Sequence, residues 1–288
     1  MIPDSTLVSG LFSSGAITVS PPQRPFWRSI GRLTAIKLRM PALLGGVRAQ
    51  TASSALAQTA VGSPLLMTGT LLGFCQDALN TARLYALTVE KSVEFITREL
   101  LPMGINCVAS SPHNGWLFSL PVAQNLGLAH VMIMDNKQLV RFFNGRSEII
   151  TSDANMRALV IADVIGGGRT FYNPWLEAIS DVGGRTVACH TVTDRRMGGS
   201  ERLISDGIAC GSLCDIDDEL FDCAAQLGAI TAEQAEFAKR YIADPVVFMN
   251  EFMLQNPDFV KRSLEGDEQE RAAAQQCIER GYYTLKKE

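Results

Sequence analysis

The segment Leu159-Val160-Ile161-Ala162-Asp163-Val164-Ile165-Gly166-Gly167-Gly168-Arg169-Thr170 gathers the residue types that could do chemistry. An apolar run delivers an acid, a glycine cluster follows, and a hydroxyl residue closes the turn. Glycines let successive backbone N–H groups converge on an anion, and a helix starting there adds the positive end of its dipole. Asp163 beside such a cradle is placed to accept hydrogen bonds from sugar hydroxyls. The same residues also suit a tight strand-to-helix turn with no ligand. The turn lacks the Gly-Lys-Ser/Thr of a nucleoside triphosphate loop and the spacing of a dinucleotide fingerprint.

A second polar turn, Ser111-Pro112-His113-Asn114-Gly115, also follows an apolar run. Its His113 suits either a backbone-bonded loop histidine or a catalytic one. His130 and His190 fall in strand-like runs and read as structural. Trp116 and Trp175 begin helices and read as packing residues. Lys137, Arg141 and Arg146 are scattered through the charged stretch Asp135–Met156, read as irregular. The seven cysteines are an odd number in a long chain, which argues against a disulfide framework. Cys210, Cys214 and Cys223 lack zinc-ribbon spacing and a nearby histidine, so no metal site is expected.

These turns need elements to hold them. Val89, Val93, Ile96 and Leu100 recur at helical spacing, stopped by Pro102 and Gly104. Ile105–Ala109, His130–Met134, Arg157–Asp163 and Arg185–Thr193 read as strands, and Trp116–Leu126 as a helix interrupted by Pro121. Asn173-Pro174 reads as the N-cap and first residue of another helix. Strand, turn and helix alternate, which predicts an α/β fold with a mainly parallel sheet flanked by helices. Ligands on such sheets sit at the carboxyl ends of strands, where both polar turns fall. After Ser212 the chain reads as helical, with Thr231 and Gln234 spaced as a capping box. The expected division is 1–88, an N-terminal segment with a helical insertion; 89–215, the α/β core; and 216–288, a helical extension.

The formal net charge of the 288-residue chain is -4, giving no reason to expect nucleic acid as a partner. Hydrophobic residues make up 47% and charged residues 19%, ordinary for a protein that buries a core. Met1–Gly10 holds no basic n-region, and the stretch Ala42–Phe74 is too interrupted by polar and turn residues for a membrane span. The location expected is the cytoplasm.

Asp163, Val164, Ile165, Gly168 and Thr170 resemble the ribose-phosphate motif of the type I phosphoribosyltransferase family. Ala162 stands where that motif has its first acid, Gly166 and Gly167 where it has threonines, and Arg169 where it has glycine. Further stretches are similar to the orotate branch, in order. Leu11–Ala16 and Phe26–Arg32 resemble its N-terminal, hood-like segment, with one extra residue at Ile30. Ser111–Gly115 resembles the pyrophosphate loop, with fewer glycines. Thr193-Asp194-Arg195-Arg196-Met197-Gly198-Gly199, with Glu201 and Leu203, resembles the stretch after the next strand. The likeness covers roughly Leu11–Gly31 and Ile105–Gln234.

The resemblance implies a transferase that moves a phosphoribosyl group from phosphoribosyl pyrophosphate to a nucleobase, orotate first, in pyrimidine nucleotide biosynthesis. It implies Asp163 on ribose hydroxyls and Gly166, Gly167, Gly168, Arg169 and Thr170 around the 5′-phosphate. Ser111, Pro112, His113, Asn114 and Gly115 would hold pyrophosphate, and Arg28 and Arg195 the base. Mg2+ would arrive with phosphoribosyl pyrophosphate, and the assembly would be a homodimer. The family's catalytic loop carries a histidine; the stretch here has none, leaving Lys137, Arg141 and Arg146 to neutralise the leaving group. These departures keep open an inactive relative that binds a nucleoside monophosphate, and a purine-type transferase is a third reading.

Overall fold

A computed structural model of the chain describes residues 4–110 and 114–282, with only the backbone described at 47–50 and 60. It falls into two compact units: Met1–Ala16 with Arg39–Ile216, and Ile17–Leu38 with Asp217–Glu288.

In chain order the strands are β1 Ile17–Val19, β2 Phe26–Trp27, β3 Leu33–Thr34, β4 Ile36–Leu38, β5 Cys107–Ser110, β6 Ala129–Ile133, β7 Leu139–Phe143, β8 Arg146–Ile150, β9 Arg157–Ile165, β10 Arg185–Asp194 and β11 Ala209–Asp215. The first unit holds a seven-stranded sheet in the order β11-β10-β9-β5-β6-β7-β8. From β11 to β6 every pairing is parallel, and β6-β7-β8 is antiparallel. The expected strands are neighbours in one mainly parallel sheet, and β9 runs two residues further than its apolar run suggested.

Burial on both faces explains the continuous apolar run of β9. Ala158, Val160 and Ala162 join a core cluster with Phe171, Ala178 and Ile179. Leu159 and Ile161, also buried, alternate onto the opposite face. That face carries the helix Asn114–Asn125, whose Trp116 is fully buried and donates Nε1–H to Ser110 O at 3.2 Å. Ser110 in turn donates its hydroxyl to Ile161 O at 2.6 Å, so β5, β9 and the helix are tied at one point.

Before the sheet run the helices Val47–Gly62, Pro64–Thr81 and Arg83–Phe95, and Gly104 ends the run in a left-handed conformation, φ +78°. Each buried histidine fastens a helix to a strand. His130 on β6 bonds Ser119 Oγ at 2.7 Å, and His190 on β10 bonds Ser92 Oγ at 3.0 Å.

Two expectations are corrected. The stretch 135–156, read as irregular, contains the β7–β8 hairpin. Its turn is Asn144-Gly145, both at positive φ, 49° and 75°. That is the backbone the favoured two-residue hairpin turn requires. Asn173-Pro174 opens a helical piece as expected: Asn173 is extended, φ −137° and ψ 115°, the backbone of a capping residue, and parts that piece from the helical turn begun at Arg169. The chain past Ser212 stays in β11 to Asp215 before turning helical.

The second unit contains the antiparallel pairs β1–β4 and β2–β3 and five helices between Asp218 and Glu279. Trp27 stacks on Phe259 with centroids 5.7 Å apart and donates Nε1–H to Ser263 Oγ at 3.0 Å. The capping box is present: Gln234 N–H donates to Thr231 Oγ1 and Thr231 N–H to Gln234 Oε1, each at 3.1 Å. Among the described residues no helix is long and apolar enough to cross a membrane.

Candidate functional site

The carboxyl ends of β5, β9 and β10 lie side by side on one edge of the sheet. β9 reaches past β5 and ends level with β10: Ser110, the last residue of β5, pairs with Ile161, so Asp163 projects beyond β5, and Asp194 pairs with Ile165. Alternation sends Asp163 to the face opposite Ala162, toward the start of the helix Asn114–Asn125. There the Asn114 amide hydrogen-bonds its carboxylate, as does the N–H of Val164 at 3.0 Å. Burial raises the Asp163 pKa above the ordinary carboxylate range, and the Asn114 and backbone donors oppose that rise. A bound cation or sugar hydroxyls would favour the charged form in the same way.

Past Asp163 the chain makes the turn Gly166–Thr170 and enters a helical segment. Gly168 sits at φ +74°, a conformation costly for residues with a Cβ. The first N–H groups of a helical segment have no partner within it, so the turn ends in free donors of the kind an anion takes. Arg169 and Thr170 are exposed at this corner.

The turn after β10 lies against it. Arg195 N–H donates to Ile165 O at 2.8 Å, and Gly199 N–H to Gly166 O at 3.0 Å. The Cβ position of Gly166 lies 3.8 Å from both Arg195 Cδ and Met197 Sδ. The Arg195 side chain therefore flanks the glycine turn. Asp194, at the end of β10, is only 3% exposed, and burial raises its pKa against the opposing hydrogen bonds of Ser200 and the Arg196 N–H.

The three cations expected to serve the leaving group separate. Lys137 lies in the tight turn Met134–Gln138 at the end of β6, on the edge of Asp163, at φ +65°. Its Nζ pairs with Glu177 Oε1 at 2.6 Å, in the helix after the glycine turn. Arg146 does not share that edge. It faces Phe143 across the β7–β8 turn, and Phe142 pairs with His130 near the start of β6, so this turn is at the opposite edge of the sheet. Arg141 is bound within the hairpin region, to Glu148 at 3.1 Å and to Asp153. Antiparallel β7 thus carries the chain away from the Asp163 edge toward Arg146.

Asp163, Asn114, Lys137, Arg195 and the Gly166–Thr170 turn thus share one edge of the first unit. Ser111, Pro112 and His113 lie outside the described residues. Gly115 is buried in the first turn of its helix. Arg28 belongs to the second unit, in the turn joining β2 and β3, where its N–H donates to Arg32 O at 2.8 Å.

An adenine phosphoribosyltransferase of Yersinia enterocolitica is 30% identical over 142 residues, covering 45% of this chain and 75% of that protein. The chain belongs to the type I phosphoribosyltransferase family. No family model matches the chain. The UMP synthase of Leishmania donovani superposes with a TM-score of 0.55 at 14% identity, covering 83% of this chain and 42% of that one. This chain therefore spans less than half of that protein. The orotate phosphoribosyltransferase of Francisella tularensis superposes with a TM-score of 0.52 at 11% identity, covering 82% and 96%. At those identities the two structures bear on the fold.

Within this phosphoribosyltransferase fold Ala162 acquires a reason. It is 1% exposed and packs in the cluster containing Phe171 and Ala178. A carboxylate there would be buried among apolar side chains, at a cost that would keep it protonated. Sequence reasoning gave no role to Glu177, and none to Met197 or Asp194 within the stretch Thr193–Gly199. One signal was available: the pair Gly198-Gly199 follows β10 much as the glycine cluster follows β9.

Proposed function

We propose that this chain binds phosphoribosyl pyrophosphate and transfers its phosphoribosyl group to a nucleobase, with orotate as the first candidate. The observation that carries this reading is the convergence of Asp163, Asn114 and the glycine turn on one edge of the sheet. In this reading Asp163 holds the ribose hydroxyls. The Gly166–Thr170 backbone and the Thr170 hydroxyl take the 5′-phosphate, with Arg169 adding positive charge. The Ser111–Gly115 turn takes the pyrophosphate, and Arg195 recognises the base. A base nitrogen forms the new bond to the anomeric carbon while the carbon–oxygen bond to pyrophosphate breaks, its electron pair leaving with the pyrophosphate. Catalysis then rests on placement and on stabilising the departing charge.

Asp163 suits a divalent cation: Mg2+ prefers oxygen ligands, one or two carboxylates plus substrate phosphates. When bound it would supply charge neutralisation on the leaving group. Lys137 supplies the protein's own share at this edge, released from Glu177. Loss of that charge-assisted contact, worth about 1.5–3 kcal/mol, should lower turnover roughly 10- to 150-fold in Lys137→Met. Arg146→Gln should stay within about twofold, since it lies at the other edge of the sheet. Pyrophosphate release by the two variants checks this; equal losses would remove Lys137 from the mechanism.

Two other readings have particular support. The Yersinia relative is an adenine enzyme, which favours a purine base. The pinned Lys137 and the apolar setting of Ala162 favour weak turnover, down to a protein that only binds a nucleotide. Pyrophosphate release with orotate and with adenine, in parallel and with Mg2+, decides among them. Weak but measurable release with orotate is expected. Release with adenine alone would transfer the assignment to the purine base, and none with either would leave a binding protein.

We also propose a two-fold homodimer, the commonest soluble assembly. Light scattering across concentration should give twice the 31.3 kDa chain mass. A constant single-chain mass would reject it.

A further inference from the structure

The turn after β10 is more firmly built than contact with a base would require. It meets the glycine turn backbone on backbone. A Cβ placed on Gly199 would fall on Gly166 O and lie 2.7 Å from Gly168 N. A Cβ on Gly168 would lie 3.1 Å from Gly199 Cα. Together with the hydrogen bonds from Arg195 N–H to Ile165 O and from Gly199 N–H to Gly166 O, this leaves the two turns little freedom to move independently.

The second turn is itself locked by charge. The buried Asp194 accepts from the Ser200 hydroxyl and from Arg196 N–H, the latter at 2.7 Å. Arg196 stands at φ +52°, a region that residues with a Cβ avoid. Its guanidinium faces Glu201 at 3.3 Å and Asp194 and Asp215 at 3.9 Å each. Asp215 lies beside Asp194 in the β10–β11 register and accepts from Ser212 Oγ at 2.6 Å. An unusual backbone conformation surrounded by three carboxylates indicates a shape held in place by its neighbours.

We propose that Asp194 and Gly199 are positioning residues: through the Asp194–Gly199 turn they fix the shape of the Gly166–Thr170 turn and thereby its affinity for a sugar phosphate, without touching the ligand. The inference rests on the reading of that turn as the 5′-phosphate site. Pyrophosphate, expected at the separate turn after β5, serves as an internal control.

The test is calorimetry of the full chain with ribose 5-phosphate and, separately, with pyrophosphate and Mg2+. Gly199→Ala should weaken ribose 5-phosphate at least tenfold and leave pyrophosphate within twofold. Asp194→Ala should weaken ribose 5-phosphate similarly, and Asp194→Asn, which keeps an acceptor for Arg196 N–H, should recover most of the loss. Far-UV circular dichroism establishes that each variant is folded; should Gly199→Ala fail, the comparison of Asp194→Ala with Asp194→Asn carries the test. Unchanged ribose 5-phosphate affinity in the folded variants would overturn the inference while leaving the proposed function intact. Parallel loss of both ligands, or no rescue by asparagine, would also overturn it by indicating general damage. A wild-type chain that binds neither ligand would overturn the proposed function and this inference together.

Discussion

Trp116→Ala is expected to destabilise the first unit by about 3–5 kcal/mol, the range for removing a large buried aromatic side chain. Trp116 is fully buried, in the helix whose Phe118 meets Tyr85 edge-on with centroids 5.8 Å apart. Its Nε1–H bond to Ser110 O fastens the helix to the end of β5, and alanine would leave that carbonyl without its donor. The consequence reaches the site, because Asn114 opens the same helix and holds the Asp163 carboxylate. A moderately destabilised variant should therefore also lose ligand affinity. Urea unfolding followed by circular dichroism gives the stability. A loss under about 1.5 kcal/mol would mean that the helix is not anchored through this residue.

Acidification should have a comparable effect. His130 and His190 are 2% and 1% exposed, and burial lowers the pKa of each to about 3. In the unfolded chain both titrate near the ordinary value of about 6.5. With the folded pKa depressed, the unfolded state takes up protons first, so this stability is present above about pH 6.5 and is lost as pH falls toward 3. Each histidine then costs about 1.4 kcal/mol per pH unit below its free value, and the pair about 3 kcal/mol between pH 7.5 and 5.5. Asp163 and Asp194 act in the opposite sense, since burial raises their folded pKa values and the folded state protonates before the unfolded one. Their contribution begins below their raised values, as the carboxyls take up protons. Urea midpoints across this range should fall steadily, and His190→Gln should roughly halve the slope. A flat profile from pH 7.5 to 5.5 would contradict neutral burial of the two rings.

The sequence made the sheet legible where burial on both faces left continuous apolar runs, as in β9 and β10, and where turn residues followed them. It made Asp163 and the glycine turn legible because a strand, an acid and glycines stand in one line. The β7–β8 hairpin was also written in the chain, at Asn144-Gly145, but the charges on its strands obscured it. Linear order does not tell which edge of the sheet a residue reaches; one reversal of strand direction carries Arg146 to the edge away from Asp163. The grouping of Ile17–Leu38 with the C-terminal helices joins residues some two hundred positions apart and leaves no local signal. The role of Ala162 depended on which face of β9 it occupies, and alternation from Asp163 could have revealed that.

The proposed role of Asp163 and the glycine turn is to bind the ribose phosphate of phosphoribosyl pyrophosphate. Titration calorimetry of the wild-type chain and Asp163→Asn with phosphoribosyl pyrophosphate and Mg2+ tests it most directly. Saturable binding by the wild type is expected, weakened in the variant by about 1.5–3 kcal/mol, roughly 10- to 150-fold, for the loss of hydrogen bonds to a charged group. Wild-type binding that Asp163→Asn leaves unchanged, or no binding by the wild type, would contradict it.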